Sequence, residues 1–167
     1  MLKYMNYQSE RPLQVYREED PERETARLRA EIADLAYGVG AELSEDELRV
    51  AAEGVPKQPE LRTEEERREA ENRKEQGEAY VPFKLLERAA RCGARAQDAP
   101  EGSDERRRAG GQNLVLTAAG YLRAHPDLAQ KCVEYAQAIK EGSREWDERE
   151  IPRLAPGEEQ ESLRRAA

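Results

Sequence analysis

Apolar residues recur at helical spacing in separate stretches of this chain, with charged runs between them. The first stretch predicts a helix over residues 21–36, because its apolar positions form one stripe: Leu28, Ile32, Leu35 and Val39. A second stripe follows Pro126, in a helix that Gly142 is expected to end: Leu128, Cys132, Tyr135, Ala136 and Ile139. We therefore expect both helices to bury one face in a core.

The stretch from residue 109 to residue 126 is the least charged part of the chain, with Arg123 as its only formal charge. It predicts the most buried element, a central helix over residues 113–125, with a short strand at 114–117 as the alternative. Residues 97–112 are polar and contain Gly110-Gly111. We expect them to form a long, mobile loop.

Two capping boxes of the form Ser/Thr-x-x-Glu predict further helix starts. Ser44 with Glu47 predicts a helix over residues 45–53, and Thr63 with Glu66 predicts one over about 64–76. Ala70 is the only apolar residue of the second helix, so core packing does not hold it and we expect an outlying, charged helix. A further helix is predicted from Pro82 to residue 96.

Together these elements predict an all-α fold, a small irregular helical bundle with charged outlying helices and flexible N- and C-terminal segments. The expected organisation is an N-terminal arm over 1–21, a helical domain over 22–142 and a charged, largely flexible tail over 143–167. The most compact part of the domain is expected over 80–142.

The composition shows that large aliphatic side chains are scarce in this chain. Leu, Ile, Val and Phe account for 26 of the 167 residues, while charged residues make up 38% and the net charge is −8. Such a balance is typical of chains that bury little apolar surface. We therefore expect a partner to hold this chain in its fully ordered state.

Several function classes lack the residues that they need. One histidine and two cysteines do not supply a catalytic triad, a disulfide framework or a closed zinc site. We expect His125 to cap the next helix or to pack against Tyr121, and both cysteines to be core residues. No apolar run reaches the length of a membrane span, and the N-terminus lacks the apolar region of a secretory signal. We predict a cytoplasmic protein that is not an enzyme, with no cofactor, no metal and no membrane contact.

One pattern of basic residues suggests a function. In the 82–96 helix, four basic residues fall within a stripe about 60° wide, and three arginines follow in the predicted loop. Ordered guanidinium groups suit carboxylates or phosphates. The candidate partner-binding residues are Lys84, Arg88, Arg91, Arg95, Arg106, Arg107 and Arg108. The alternative is that these residues pair internally, with the 64–76 helix or with Glu134 and Glu141, and the sequence leaves both open.

Four aromatic residues lie in segments that no predicted core needs: Tyr4, Tyr7, Tyr16 and Trp146. Tyrosine and tryptophan are frequent anchors of protein interfaces, so we include them among the candidate partner-binding residues. The alternative is that the N-terminal arm folds back over the domain and buries its tyrosines.

The sequence therefore predicts a non-catalytic helical interaction protein, a small subunit or adaptor that a protein partner orders within a larger assembly. One alternative is an acidic inhibitor that mimics nucleic acid and blocks a basic groove, using the acidic clusters at 18–24, 42–53 and 64–71. A second is a nucleic-acid-binding subunit that uses the basic helix edge, although the net charge weighs against it. Assembly into a homo-oligomer stays open.

Overall fold

The structure is a computed structural model that describes residues 21–54 and 64–154. These residues form five α-helices and one 3-10 helix, and none of them lies in a strand. The elements in chain order are α1 Pro21–Val39, α2 Glu45–Glu53, α3 Glu64–Asp98, α4 Asp104–Tyr121, α5 Pro126–Glu141 and the 3-10 helix Glu148–Glu150. The predicted all-α fold, a small helical bundle, is confirmed.

Helix α4 is the centre of the bundle and contacts each of the other four helices. It is buried on every side from Ala109 to Gly120, apart from the half-buried Gln112. The central helix predicted from the low charge of this stretch is therefore confirmed, but the predicted loop over 97–112 is wrong. Ser103 caps α4 by accepting a hydrogen bond from the Arg106 backbone N–H at 3.1 Å, and the helix starts at residue 104.

Glycine allows α4 to pack so closely. A Cβ atom at Gly110 would lie 2.4 Å from the Trp146 ring, and one at Gly111 would lie 2.9 Å from the Val39 side chain. Carbon atoms do not approach to such distances without repulsion. The Gly110-Gly111 pair indicated a flexible loop in the sequence, yet it lies inside a helix because only glycine fits against these neighbours.

The core contains many alanines. Eleven of the buried side chains in the part of the chain that the structure describes are alanines, and each of the five helices contributes at least one. Small side chains let helices approach closely and still fill the space between them. The count of Leu, Ile, Val and Phe therefore underestimates the apolar surface that this bundle buries.

Helix α3 joins two helices that the sequence predicted separately. It runs from Glu64 to Asp98 with Pro82 in its interior, so the predicted start of a new helix at Pro82 is wrong. An internal proline removes one backbone hydrogen bond, and contacts between α3 and α4 compensate by holding the helix in place. Exposed charged side chains in the first two turns confirm the predicted outlying segment: Glu64, Glu65, Arg67, Arg68 and Glu69. Thr63 lies outside the described residues.

Helices α1, α2 and α5 follow the patterns that predicted them. The α1 stripe is buried up to Leu35, and Val39 is half-buried. In the α2 capping box, Ser44 Oγ accepts from the Glu47 backbone N–H at 3.1 Å and Glu47 Oε1 accepts from the Ser44 backbone N–H at 3.0 Å. The predicted α5 stripe is buried throughout, and Gly142 ends the helix at a φ of 82°.

Residues 143–154 pack against the bundle, although the sequence predicted a largely flexible tail from residue 143. Trp146 is 2% exposed, and its Nε1 donates to Asn113 Oδ1 at 3.3 Å. One tryptophan supplies enough buried surface to hold a segment whose other residues are mostly charged. The predicted N-terminal arm and the remainder of the tail, residues 155–167, lie outside the described residues.

Candidate functional site

Arg88, in the predicted basic stripe, is engaged inside the molecule. Its guanidinium donates to the Glu42 carbonyl at 2.5 Å and forms an ion pair with the Glu47 carboxylate. Partial burial opposes ionisation of Glu47, but hydrogen bonds from the Ser44 backbone N–H and from Arg88 outweigh it, so the pKa of Glu47 lies below its ordinary value. Arg88 therefore pairs inside the molecule, as the alternative predicted. Its partner is Glu47 of α2 and not the 64–76 helix, Glu134 or Glu141.

The other three members of the stripe differ in their surroundings. Lys84 Nζ lies 3.4 Å from a carboxylate oxygen of Glu87, one turn further along the same helix. Arg95 donates to Gln112 Oε1 at 3.2 Å and thereby links α3 to α4. Arg91 is exposed and makes no hydrogen bond or ion pair with any residue that the structure describes. The stripe therefore does not present four unpaired cations.

Arg106 also has an internal role. Its guanidinium donates to the Ala96 carbonyl at 3.3 Å and to the Ala99 carbonyl at 3.2 Å, at the end of α3. The same group lies 5.3 Å from the centre of the Trp146 ring. Carbonyls at a helix C-terminus lack partners within the helix, so Arg106 satisfies them while it packs on the tryptophan.

The structure describes one of the four aromatic residues predicted as anchors. The interpretation of Trp146 as a surface anchor is wrong, because the core buries this side chain. Tyr4, Tyr7 and Tyr16 lie outside the described residues. Among the described residues, the exposed large apolar side chains are Tyr37, at 92%, and Phe83, at 53%. Both lie on the side of their helix opposite its buried apolar stripe. The helical spacing of the sequence already places them there.

The residues considered for catalysis occupy structural positions. The rings of Tyr121 and His125 pack edge to face with centroids 5.8 Å apart, as one of the two expectations for His125 proposed. Burial raises the pKa of the Cys132 thiol to about 12, which keeps it protonated at neutral pH. The described ranges contain no group of three or more His, Cys, Asp or Glu that could hold a metal ion. Nor does any helix within them have the length and apolar character of a membrane span.

One cleft of about 220 Å³ brings basic residues and apolar surface together where α1, α4 and α5 meet. Leu35, Ala136 and Ile139 form its buried floor. Around them stand the basic residues Arg107, Arg108 and Lys140. We call this feature the cationic cleft; its remaining lining residues are Gly38, Val39 and Gly111.

The basic residues of the cationic cleft are not neutralised within it, because the lining contains no carboxylate. Arg107 pairs with Asp104 at 3.1 Å, and its Nε is buried without a hydrogen-bond partner in the described part of the chain. Arg108 and Lys140 are exposed and make no ion pair with any described residue. Among the basic residues of the cleft, Arg108 and Lys140 are therefore the two without an ion-pair partner in the described part of the chain.

The chemistry of the cationic cleft suits a ligand that is both apolar and acidic. An aliphatic side chain fits a floor of alanine, leucine and isoleucine, and carboxylates beside it would pair with Arg108 and Lys140. The sequence predicted Arg107 and Arg108 as binding residues but did not predict Lys140. No local pattern could have supplied it, since the cleft forms only when the ends of three helices converge.

A second, larger concavity runs between α3, α4 and the C-terminal segment, with a volume of about 620 Å³. Its walls carry both signs of charge, with Asp98, Glu148 and Arg153 among the lining residues. It extends to Leu154, where the described part of the chain stops. This groove therefore does not define a ligand chemistry as the cationic cleft does.

Comparison with protein-family models, with curated proteins and with solved structures finds no match to this chain.

Proposed function

We propose that this chain is a non-catalytic helical interaction protein, an adaptor or small subunit that binds an acidic, apolar segment of a protein partner in the cationic cleft. One observation carries the proposal: Arg108 and Lys140 make no ion pair within the described ranges and stand beside an apolar floor, in a chain whose net charge is −8. In a predominantly acidic molecule, a local basic site is selective for anionic ligands.

The geometry supports a peptide ligand more than a small metabolite. The cleft is shallow, and its floor is formed by side chains that also hold three helices together. An apolar side chain of a partner can sit on that floor while neighbouring carboxylates reach the two cations at its edge. Rim charges of this kind contribute to specificity and to the rate of association.

The test is the binding of fluorescent model peptides in which leucine is flanked by glutamates, measured by anisotropy with the full chain. Because the ligand needs both elements, a peptide with lysine in place of glutamate and one with serine in place of leucine should bind weakly. Affinity for the first peptide should fall as salt increases, since exposed charges are screened.

Matched variants locate the site. Arg108→Glu and Lys140→Glu together should weaken binding by at least about tenfold, which corresponds to about 1.4 kcal/mol. Arg91→Glu is the control, because Arg91 is also exposed and without an ion pair to any described residue, but does not line the cleft. The proposal would be contradicted if Arg91→Glu weakened binding as much as the double variant does, or if no peptide bound under any condition.

The two alternative functions have less support. An acidic nucleic-acid mimic needs free carboxylates, but in the 42–53 cluster Asp46, Glu47 and Glu53 each pair with an arginine. A nucleic-acid-binding helix edge needs free cations, and Arg88 and Arg95 are engaged inside the molecule. No contact in the described residues favours either function over the adaptor.

A further inference from the structure

Gly38, at the edge of the cationic cleft, is a glycine that the fold itself does not require. It lies inside α1, where glycine lowers helix stability relative to alanine. Its backbone does not adopt a positive φ, and a Cβ atom at this position would meet nothing within 4 Å. Neither backbone conformation nor packing within the described part of the chain therefore explains why this residue has no side chain.

The other helical glycines whose surroundings the structure describes do have such an explanation. A Cβ atom at each of them would come within 3.0 Å of a neighbouring side chain: Gly93, Gly110, Gly111 and Gly120. Gly38 differs from them because the open space next to it belongs to the cationic cleft, which it lines. Glycine is frequent where a backbone approaches a ligand closely. The position therefore indicates that a ligand comes close to the backbone of α1.

The carbonyl group of Gly38 can accept a hydrogen bond from such a ligand. A helix leaves its last four carbonyls without partners inside the helix. In α1, the carbonyls of Ala36, Tyr37 and Val39 accept hydrogen bonds from donors beyond the helix, at distances of 2.8 to 3.3 Å. The Gly38 carbonyl accepts none from any described residue, and Gly38 is exposed. The cleft thus offers one acceptor in addition to its two cations.

An acceptor at this place favours an extended segment over a helical one. The N–H groups of a helix are bonded within the helix, whereas those of an extended segment are free to donate. Leu35, on the floor of the cleft, and Gly38 are separated by about 4.5 Å along the axis of α1. Residues of an extended segment follow one another at about 3.3 Å. An aliphatic side chain on the floor and an N–H at Gly38 can therefore come from the same residue or from adjacent ones.

We propose that the cationic cleft binds its acidic segment in extended form, with the main chain of the segment against Gly38 and one of its N–H groups donating to the Gly38 carbonyl. This inference rests on the proposed function and adds the conformation of the ligand to it. An alanine at residue 38 would place a methyl group in the space that the ligand main chain occupies. Gly38 is thus a specificity-determining residue, which admits a peptide main chain at the expense of helix stability.

The first test compares affinity with stability in the full chain. Gly38→Ala should weaken binding of the peptide in which glutamates flank leucine at least about fivefold, the effect of one overlapping methyl group. The same variant should melt at a higher temperature, because alanine is the better helix former. The control is Ala33→Gly, which removes a methyl group from an exposed site of α1 outside the cleft. It should melt at a lower temperature and bind with unchanged affinity.

The second test removes the donor from the ligand. In a series of the same peptide, each amide N–H in turn is replaced by an ester oxygen. One replacement, at the leucine or next to it, should weaken binding by the native chain about two- to tenfold, the range for one hydrogen bond. This loss should disappear in Gly38→Ala, where the main chain no longer reaches the carbonyl.

The inference is overturned if Gly38→Ala binds as tightly as the native chain, or if no ester replacement weakens binding. In both cases the native chain still binds the peptide, so the proposed function stands. A native chain that does not bind the peptide would overturn the proposed function and the inference together. The two failures are therefore distinguishable.

Discussion

Side-chain size at a few positions of α4 determines how closely the rest of the bundle approaches it. Gly110 faces Trp146, and the indole in turn contacts Arg106 and donates to Asn113. Asn113 also donates from Nδ2 to the Ala89 carbonyl at 2.8 Å. A buried amide with both ends bonded fixes the position of its neighbours. One glycine and one asparagine therefore set the distance between α3, α4 and the C-terminal segment.

We expect Gly110→Ala to destabilise the protein by about 1–3 kcal/mol, because the new methyl group would overlap the Trp146 side chain. The matched control is Gly38→Ala, also inside a helix, where a Cβ meets nothing within 4 Å. Alanine is the better helix former, so the control should gain about 0.5–1 kcal/mol. Urea unfolding measures both changes. A neutral Gly110→Ala would contradict the packing described above.

The Glu47 carboxylate makes the stability of the protein depend on pH. Its pKa in the folded state lies below the ordinary value of 4.5, so the ionised form stabilises the fold above that value. As the pH falls through the folded pKa, the carboxylate is protonated and this stabilisation is lost. Its ion pair with Arg88 links α2 to α3, and its bond to the Ser44 backbone caps the start of α2.

We expect Glu47→Gln to lower the free energy of unfolding at neutral pH by about 0.2–1 kcal/mol, the range measured for exposed ion pairs. The difference between the native chain and the variant should disappear well below pH 4.5. Unfolding curves measured along a pH series test this expectation. A difference that stays constant down to strongly acidic pH would show that the charge of Glu47 is not responsible.

At the scale of elements, the C-terminal segment is held by side chains and not by helical packing. The Tyr135 hydroxyl donates to the Glu145 carbonyl at 3.0 Å and accepts from the Asp147 backbone N–H at 2.8 Å. Arg144 covers the same ring at 3.8 Å. A single hydroxyl on α5 thus fixes the backbone on either side of Trp146.

Tyr135→Phe should loosen this segment while the helices stay intact. Two hydrogen bonds are lost, at about 1 kcal/mol each, so amide exchange at Asp147 and its neighbours should accelerate. Tyr37→Phe is the control, because that side chain is 92% exposed. Exchange rates that are the same in the two variants would refute the role assigned to Tyr135.

The ends of a helix could be predicted where a capping residue or an apolar stripe of the helix itself marks them. They could not be predicted where contacts with residues distant in sequence determine them. Ser44, Glu47 and Gly142 marked the limits of α2 and α5 correctly. The start of α4 was missed, since the fit of Gly110 against Trp146 joins residues far apart in sequence. The cationic cleft was predictable only in part for the same reason: Arg107 and Arg108 are adjacent, whereas Lys140 comes from another helix.

At the scale of the whole molecule, α1 and the C-terminal segment share one core although they stand at opposite ends of the described chain. Leu28 and Trp146 are both buried in the same cluster. Small domains with one core usually unfold as a unit. The cooperative part of this molecule should therefore extend from α1 to the segment around Trp146.

Leu28→Ala should lower the stability reported by Trp146 fluorescence by about 2–5 kcal/mol, because the substitution leaves a cavity in that shared core. Trp146 is the only tryptophan, so its emission reports on one site. The control on the same helix is Tyr37→Ala, expected to change stability by no more than about 0.5 kcal/mol. If Leu28→Ala leaves the unfolding transition seen by Trp146 fluorescence unchanged, α1 does not belong to the same cooperative unit.

The most direct test of the proposed adaptor role is a residue-resolved NMR titration of the full chain with the acidic leucine peptide. Binding should shift the amide signals that surround the cationic cleft, at Gly38, Arg108, Gly111 and Lys140, and leave those of Arg91 and Ala94 on α3 in place. Shifts that appear only outside the cleft, or no shifts at a peptide excess, would contradict the account.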